Sequence, residues 1–164
     1  MISGIRIVNT APLIFLSKIG KLELLRIGAE KIYVPGTVLR ELNVVQDAAT
    51  KAIHTVLGDW LFEKSCTETN LLKLTMQALD PGEAEVVALA LELSTKDVVL
   101  DDLDARRFAR RSGLQPIGTL GLLLAAKRAG VIQAIAPEIK ALSEAGFRAN
   151  EILVQRILNE AGEQ

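Results

Sequence analysis

The sequence predicts an α/β protein: a central parallel sheet with helices on both faces, a three-layer α/β/α arrangement, followed by a helical C-terminal extension. Three observations predict it. Short β-type runs alternate with helical patterns through about residue 132, and such alternation implies βαβ units. The runs are joined by helices, so right-handed crossovers carry successive strand ends to one edge. Beyond that point, residues 132–160 read only as helices. The strand ends of an open parallel sheet form one crevice in which ligands bind. Glu41, Glu83, Asp101 and Asp102 fall on segments expected to converge there, and Asn9 closes the first apolar run. Gathered carboxylates repel one another unless a divalent cation sits between them. The pattern therefore points to Mg²⁺- or Mn²⁺-dependent chemistry on a phosphodiester.

The elements follow in order. Ile5–Val8 is a short β-type run, and Pro12 then sits near a helix start. Leu13, Leu16, Leu22 and Leu25 carry a helical stripe broken around Gly20. Lys31–Val34 reads as a second strand, punctuated by Pro35, and a helix begins over 38–42. Residues 47–57 are helical, 61–65 form a short strand and 70–79 a short helix. Asp80-Pro81-Gly82-Glu83 opens the best helix of the chain, which runs to about Leu93. Residues 97–101 are an apolar strand closed by acid, and 105–111 are helical and end at Ser112-Gly113. A strand over 114–117 leads through Gly118-Thr119 into a helix stopped by Gly130. Two or three helices then follow, with a break at Gly146.

Composition narrows the classes of function. At 164 residues the chain is expected to form one domain, with a core over 5–132 and the C-terminal helices over 132–160. Hydrophobic residues make up 49%, enough for a full core. There is no apolar run long enough to span a membrane, so no membrane partner is expected. The start, M-I-S-G-I-R, lacks the features of a signal peptide. One cysteine, Cys66, excludes an internal disulfide and suits a cytoplasmic location. One Cys and one His, His54, argue against a four-ligand zinc site. Net charge of −1 argues against a strongly basic nucleic-acid clamp, but not against a nuclease with a local basic patch.

Each candidate residue has a bland reading beside the chemical one. Asn9 and Thr10 suit a helix N-cap, or the Asn9 amide carbonyl a metal or water. Glu41 suits a solvated helix position. Asp80 and Glu83 have capping-box spacing, with Pro81 at a preferred first-turn position. Glu85 points roughly 200° away from Glu83 around a helix. Asp101, Asp102 and Asp104 suit the start of the next helix, yet one helix does not need three caps. Arg106, Arg107, Arg110 and Arg111 crowd one short helix. They form a solvated face or a phosphate-binding one, for which Arg is well suited. No second His and no G-x-G-x-x-G or Walker-type loop supports a nucleophilic triad or a nucleotide cofactor.

Order and spacing together say more than any single acid. The succession I-V-N-T-A-P-L-I, Y-V-P-G-T-V-L-R-E-L, L-D-P-G-E-A-E-V-V-A-L-A, V-L-D-D-L-D-A-R-R-F-A and G-T-L-G-L-L-L-A-A-K-R-A-G resembles the PIN-domain family. It is most similar to the prokaryotic branch related to VapC-type toxins. The resemblance covers about residues 5–132 and, more loosely, the C-terminal helices. It implies a metal-dependent ribonuclease centre. The family's first acid falls on Asn9, the second on Glu41, the third on Glu83 and the fourth on Asp101 or Asp102. The strand end favours Asp101 and the following helix Asp102. Thr10 and Thr119 match small hydroxyl positions lining the family's site. Asn9 is the departure, because better-known members carry Asp there.

The resulting expectation is hydrolysis of single-stranded RNA. Mg²⁺ or Mn²⁺ would be held by Asn9, Glu41, Glu83 and Asp101 or Asp102, with Arg106 or Arg110 orienting the backbone. An antitoxin protein is a possible partner. The aliphatic C-terminal segment 132–160 suggests a homodimer. The competing reading is a PIN-fold RNA- or protein-binding module with weak or no catalysis, which Asn9 favours. An α/β phosphotransfer or dehalogenase enzyme with an Asp nucleophile after the first strand is disfavoured, since an amide cannot serve as that nucleophile.

Overall fold

A computed structural model describes residues 4–163, so the start Met1–Ser3, on which the signal-peptide reading partly rests, lies outside the described residues. The strands are β1 Ile5–Val8, β2 Lys31–Val34, β3 Leu61–Glu63, β4 Asp97–Val99 and β5 Gln115–Ile117. They form one sheet in the order β3-β2-β1-β4-β5, parallel at every pairing. The helices are α1 Thr10–Lys18, α2 Gly36–Val44, α3 Ala48–Val56, α4 Thr69–Met76 and α5 Pro81–Leu93. Then come α6 Leu103–Arg111, α7 Thr119–Arg128, α8 Ala136–Glu144 and α9 Glu151–Glu160. The fold is the three-layer α/β/α arrangement expected from the alternation.

Strand order decides where the crevice lies. From β1 the chain winds outward through β2 to β3, then crosses back to lay β4 on the other side of β1. The winding direction therefore reverses between β1 and β4, and ligands bind at such a switch point. Beyond Val8↔Val99, the Asn9 N–H donates to the Val99 carbonyl at 3.1 Å, and the Leu100 N–H to the Ile117 carbonyl at 3.0 Å. Asn9 and Leu100 are thus the last residues laddered before the crevice opens.

The core explains why these short strands hold. Ile7, Val8, Val98, Val99 and Leu100 are fully buried, as continuous apolar runs in a sheet covered on both faces should be. Helix α5 is buried from Ala84 through Ala90, which makes it an interior helix. Pro116 lies within β5, where a missing N–H is tolerated because β5 is an edge strand. The 22–26 segment departs from the expected α-helical stripe: it is a 3₁₀ turn, set off from α1 by Gly20 at φ +70.

The C-terminal helices find partners inside the chain. Helix α8 packs on α1 and α9 on α7, burying Leu142 and Ile157. Phe147, in the break between them, meets Phe15 edge-on at 5.2 Å. The Glu163 carboxylate accepts from Lys127 Nζ at 2.8 Å and from the N–H groups of Ile135 and Ala136 at 2.8 and 3.0 Å. Part of the aliphatic surface of 132–160 is thus used within the chain, while Ile152 stays 72% exposed. Among the described residues, no helix is long and apolar enough to cross a membrane.

A candidate acidic crevice at the strand ends

Asn9 occupies the N-cap position of α1, yet its side chain makes no capping hydrogen bond. The third helical residue is Pro12, which offers no N–H, so one of the two usual donors to such a cap is missing. Its Oδ1 is buried and has no hydrogen-bond partner among the described residues. Buried polar atoms are nearly always paired, and leaving one unpaired costs about 1–3 kcal/mol. The capping reading of Asn9 therefore fails, and the amide oxygen stands ready for something else.

Glu41 and Glu83 come to the same place by different routes. Helix α2 follows β2 and carries Glu41, whose Oε1 accepts from Thr10 Oγ1 at 3.2 Å. Helix α5 arrives by its N-terminus, with Gly82 against this pair. A Cβ on Gly82 would collide with the Glu41 carboxylate and would stand 3.3 Å from Asn9 Oδ1. The missing side chain at Gly82 is what lets the first turn of α5 close on Asn9 and Glu41. Glu83 follows immediately. Burial pushes its carboxyl up to about 7, helped by the charges of Asp102, Asp80 and Glu41 and opposed by the Asp80 N–H. Asp80 makes no side-chain cap of α5, so the reciprocal capping box expected of Asp80 and Glu83 is not formed.

The two adjacent aspartates differ in what they touch. Asp101 reaches across to the start of α7: Oδ1 accepts the Thr119 N–H and Oδ2 the Thr119 hydroxyl, both at 2.7 Å. Burial raises its carboxyl, while the Thr119 donors and Arg106 pull it down. Asp102 caps α6, accepting the Ala105 N–H at 2.9 Å on Oδ2. It is exposed, and after burial its charge is the leading influence on Glu83. Arg106 donates to the carbonyls of Leu100 and Asp101 at 3.2 and 2.7 Å, closing the end of β4. Arg110 is exposed on the same helix. Asn9, Thr10, Glu41 and Glu83 thus share one crevice with Asp102 at its rim, while Asp101, Thr119 and Arg106 form a neighbouring cluster at the β4–β5 ends.

Two positioning residues were not picked out from the sequence as such. Glu85 is 4% exposed and accepts the N–H groups of Thr37 at 3.0 Å and Cys66 at 2.9 Å. It thereby pins the first turn of α2, the helix that carries Glu41. A glutamate within the apolar run A-E-V-V-A-L-A was its signal, since a buried charge needs partners. Gly82 is the other, marked only by its place between Pro81 and Glu83.

The donor set suits a hydrated divalent cation. It is all oxygen: one unpaired amide carbonyl and the carboxylates of Glu41, Glu83 and Asp102. Among the described residues no three Cys, His, Asp or Glu side chains stand as a ready metal cage. Mg²⁺ does not need one, because it keeps several waters and takes one or two carboxylates with substrate phosphate.

A parallel α/β sheet with carboxylates and an unpaired amide oxygen at its switch point belongs to the class of folds that bind ligands at their strand ends. More narrowly, the chain belongs to the PIN-domain family: the family model DUF3368, described as a PIN domain, matches residues 5–163. PIN domains are commonly nucleases and generally use divalent metals. No curated protein and no solved structure gives a significant match.

Proposed function

We propose that the protein is a divalent-metal-dependent endoribonuclease that cleaves single-stranded RNA. The observation that carries this reading is the buried, unpartnered Asn9 Oδ1 beside Glu41 and Gly82 at the switch point. An orphaned oxygen among repelling carboxylates lacks only a cation. Asn9, Glu41, Glu83 and Asp102 would hold Mg²⁺ or Mn²⁺. When bound, the ion would neutralise charge on the scissile phosphate. Thr10 fixes the Glu41 carboxylate by its hydrogen bond. Asp101 acts one step away by holding Thr119 and the start of α7, and Arg106 and Arg110 meet the backbone that emerges past Asp101. Location in the cytoplasm, a VapC-like toxin role with an antitoxin partner, and a homodimer complete the proposal and rest on the sequence resemblance and composition.

A second reading keeps the fold but not the catalysis. The neutral amide at Asn9 and the lack of a ready three-acid cage favour a weak nuclease that serves as an RNA- or protein-binding module. Cleavage of a labelled single-stranded RNA in Mn²⁺, in Mg²⁺ and in EDTA separates the two. The nuclease reading expects cleavage that is faster in Mn²⁺ and absent in EDTA. Equal residual cleavage in all three sinks it and leaves the binding module.

A further inference from the structure

Beside the crevice, a groove of about 670 Å³ runs along the outer edge of β5. Helix α6 forms one bank, and the 147–157 stretch leading into and along α9 forms the other. Four arginines line it: Arg106 and Arg110 from α6, Arg148 and Arg156 from the C-terminal extension. Asp101 is the only acid among the described lining residues. Among the described residues, Arg110, Arg148 and Arg156 make no ion pair and no side-chain hydrogen bond, and all three are exposed. By contrast, Arg107 on the same helix leans toward Asp104 at 3.8 Å, and Arg128 toward Glu160 at 3.8 Å. The groove thus concentrates uncommitted positive charge in a protein whose net charge is −1.

The walls add a second feature. Leu103 and Ile152 are 50% and 72% exposed, on opposite banks. Apolar side chains standing free between unpaired guanidinium groups suit a ligand that is anionic along its backbone and flat and apolar on its faces. A single-stranded polynucleotide has that chemistry, with phosphates for Arg and base faces for the apolar surface. The groove also begins at the cluster neighbouring the crevice, because Asp101 and Arg106 line it while closing the end of β4.

We infer that the C-terminal extension supplies a second binding subsite, in which Arg110, Arg148 and Arg156 hold the RNA segment flanking the cleavage point. The inference rests on the nuclease reading for its choice of ligand. Affinity from this subsite is electrostatic and tolerant of sequence, since it reads phosphates rather than base edges.

The test is polarisation of a fluorescein-labelled oligouridylate in EDTA across a salt series. Wild type binds, and Arg148→Ala/Arg156→Ala weakens binding roughly tenfold at low salt and flattens the log–log salt slope by about 0.7 per arginine removed. Arg148→Lys/Arg156→Lys retains most of the affinity. Arg107→Ala/Arg111→Ala, on α6 but outside the groove, binds as wild type does. Matching melting temperatures exclude misfolding as the cause. Unchanged affinity and slope in the Arg148/Arg156 variant overturn the inference, and so does an equal loss in the Arg107/Arg111 variant. Binding of an acidic leucine-containing peptide in place of the oligonucleotide also overturns it and assigns the groove to a protein. Because EDTA removes catalysis, a failed nuclease reading leaves this binding in place. A failed groove instead leaves Mn²⁺-dependent cleavage with unchanged KM in the Arg148/Arg156 variant.

Discussion

Carboxylates do two different jobs in this molecule, and their hydrogen bonds tell them apart. Away from the crevice, each of three glutamates ties down a chain segment. Glu85 accepts two N–H groups at the start of α2 and after β3. Glu92 accepts the Thr67 and Glu68 N–H groups ahead of α4, both at 2.7 Å. Glu163 accepts two at the start of α8 and pairs with Lys127. In the crevice, Glu41 accepts one hydroxyl, and Glu83 is pushed upward by burial and like charge. Helix N-termini attract acids in both regions, so an acid at a helix start is no sign of function. Acceptor capacity left unfilled beside other acids is the better sign.

The sharpest way to break this contrast is at Glu83. Glu83→Gln should lower metal-dependent cleavage by about 100-fold or more, the scale of losing one charged group that acts on the reacting centre. It should also raise the stability of the metal-free protein, because it removes a carboxylate that burial and Asp102 disfavour. Glu83 is only half-buried, so the gain is limited by solvent screening to about 1 kcal/mol. That corresponds to roughly 2–4 °C in Tm for a chain of this size. Cleavage assays and thermal unfolding in EDTA read the two effects. A variant that loses both activity and stability would make Glu83 a structural acid like Glu85.

Glu85 should behave in the opposite sense. Glu85→Ala leaves the part-buried N–H groups of Thr37 and Cys66 without an acceptor, at about 1–3 kcal/mol each at most. Denaturant unfolding should show a clear loss of stability. Cleavage at low temperature, where the variant is folded, should also fall, because α2 carries Glu41. Full activity in the folded variant would show that Glu85 does not position Glu41.

Much of this was legible from sequence, for local reasons. Ile5–Val8 and Lys31–Val34 are β-branched runs closed by Asn9 and Pro35, and D-P-G-E announces α5. The match between 47–57 and Asp47 capping Thr50 is equally local. Strand order was not legible, because strands of three or four residues do not say on which side of β1 the chain returns. Nor does sequence show what Asp101 and Asp102 each touch. Both sit between a strand and a helix, and the partner of Asp101, Thr119, lies 18 residues further along. The partners of Glu85 are 48 and 19 residues away. Asn9 was the missed opportunity. Pro12 is visible three residues on, and a missing N–H at that point already weakens the capping reading.

Asn9→Asp probes the crevice from its neutral corner. Asn9 makes no capping hydrogen bond and Asp is nearly the same size, so the change removes no contact that holds the start of α1. The new carboxylate adds attraction for a cation, which strengthens Mg²⁺ binding by roughly tenfold, or about 1.4 kcal/mol, for a partly desolvated site. It also adds repulsion against Glu41 and Glu83, so the metal-free variant should melt lower than wild type and recover in Mg²⁺. Calorimetric titration and melting with and without Mg²⁺ check both. Unchanged affinity would mean that Asn9 does not face the ion.

The smallest effect belongs to Glu163, and its pH dependence carries the information. The Lys127 ammonium, then the Ile135 and Ala136 N–H groups, hold this carboxyl down to about 2, against an ordinary value of 4.5. A folded-state value below the unfolded one means that the ionised form stabilises the fold. That contribution is complete above about pH 4.5 and is lost as pH falls toward 2. Glu163→Gln keeps one acceptor oxygen where the carboxylate offers one to each N–H, and gives up the charge facing Lys127. Its Tm should therefore sit below that of wild type at neutral pH, with the gap narrowing as pH drops below 4.5. Added salt should narrow the gap somewhat as well, since a partly covered ion pair is still screened in part. A gap independent of both pH and salt would show that Glu163 acts through its hydrogen bonds alone. The crevice acids predict the reverse dependence: their repulsion grows as pH rises, so the same titration on Glu83→Gln should open a gap of opposite sign.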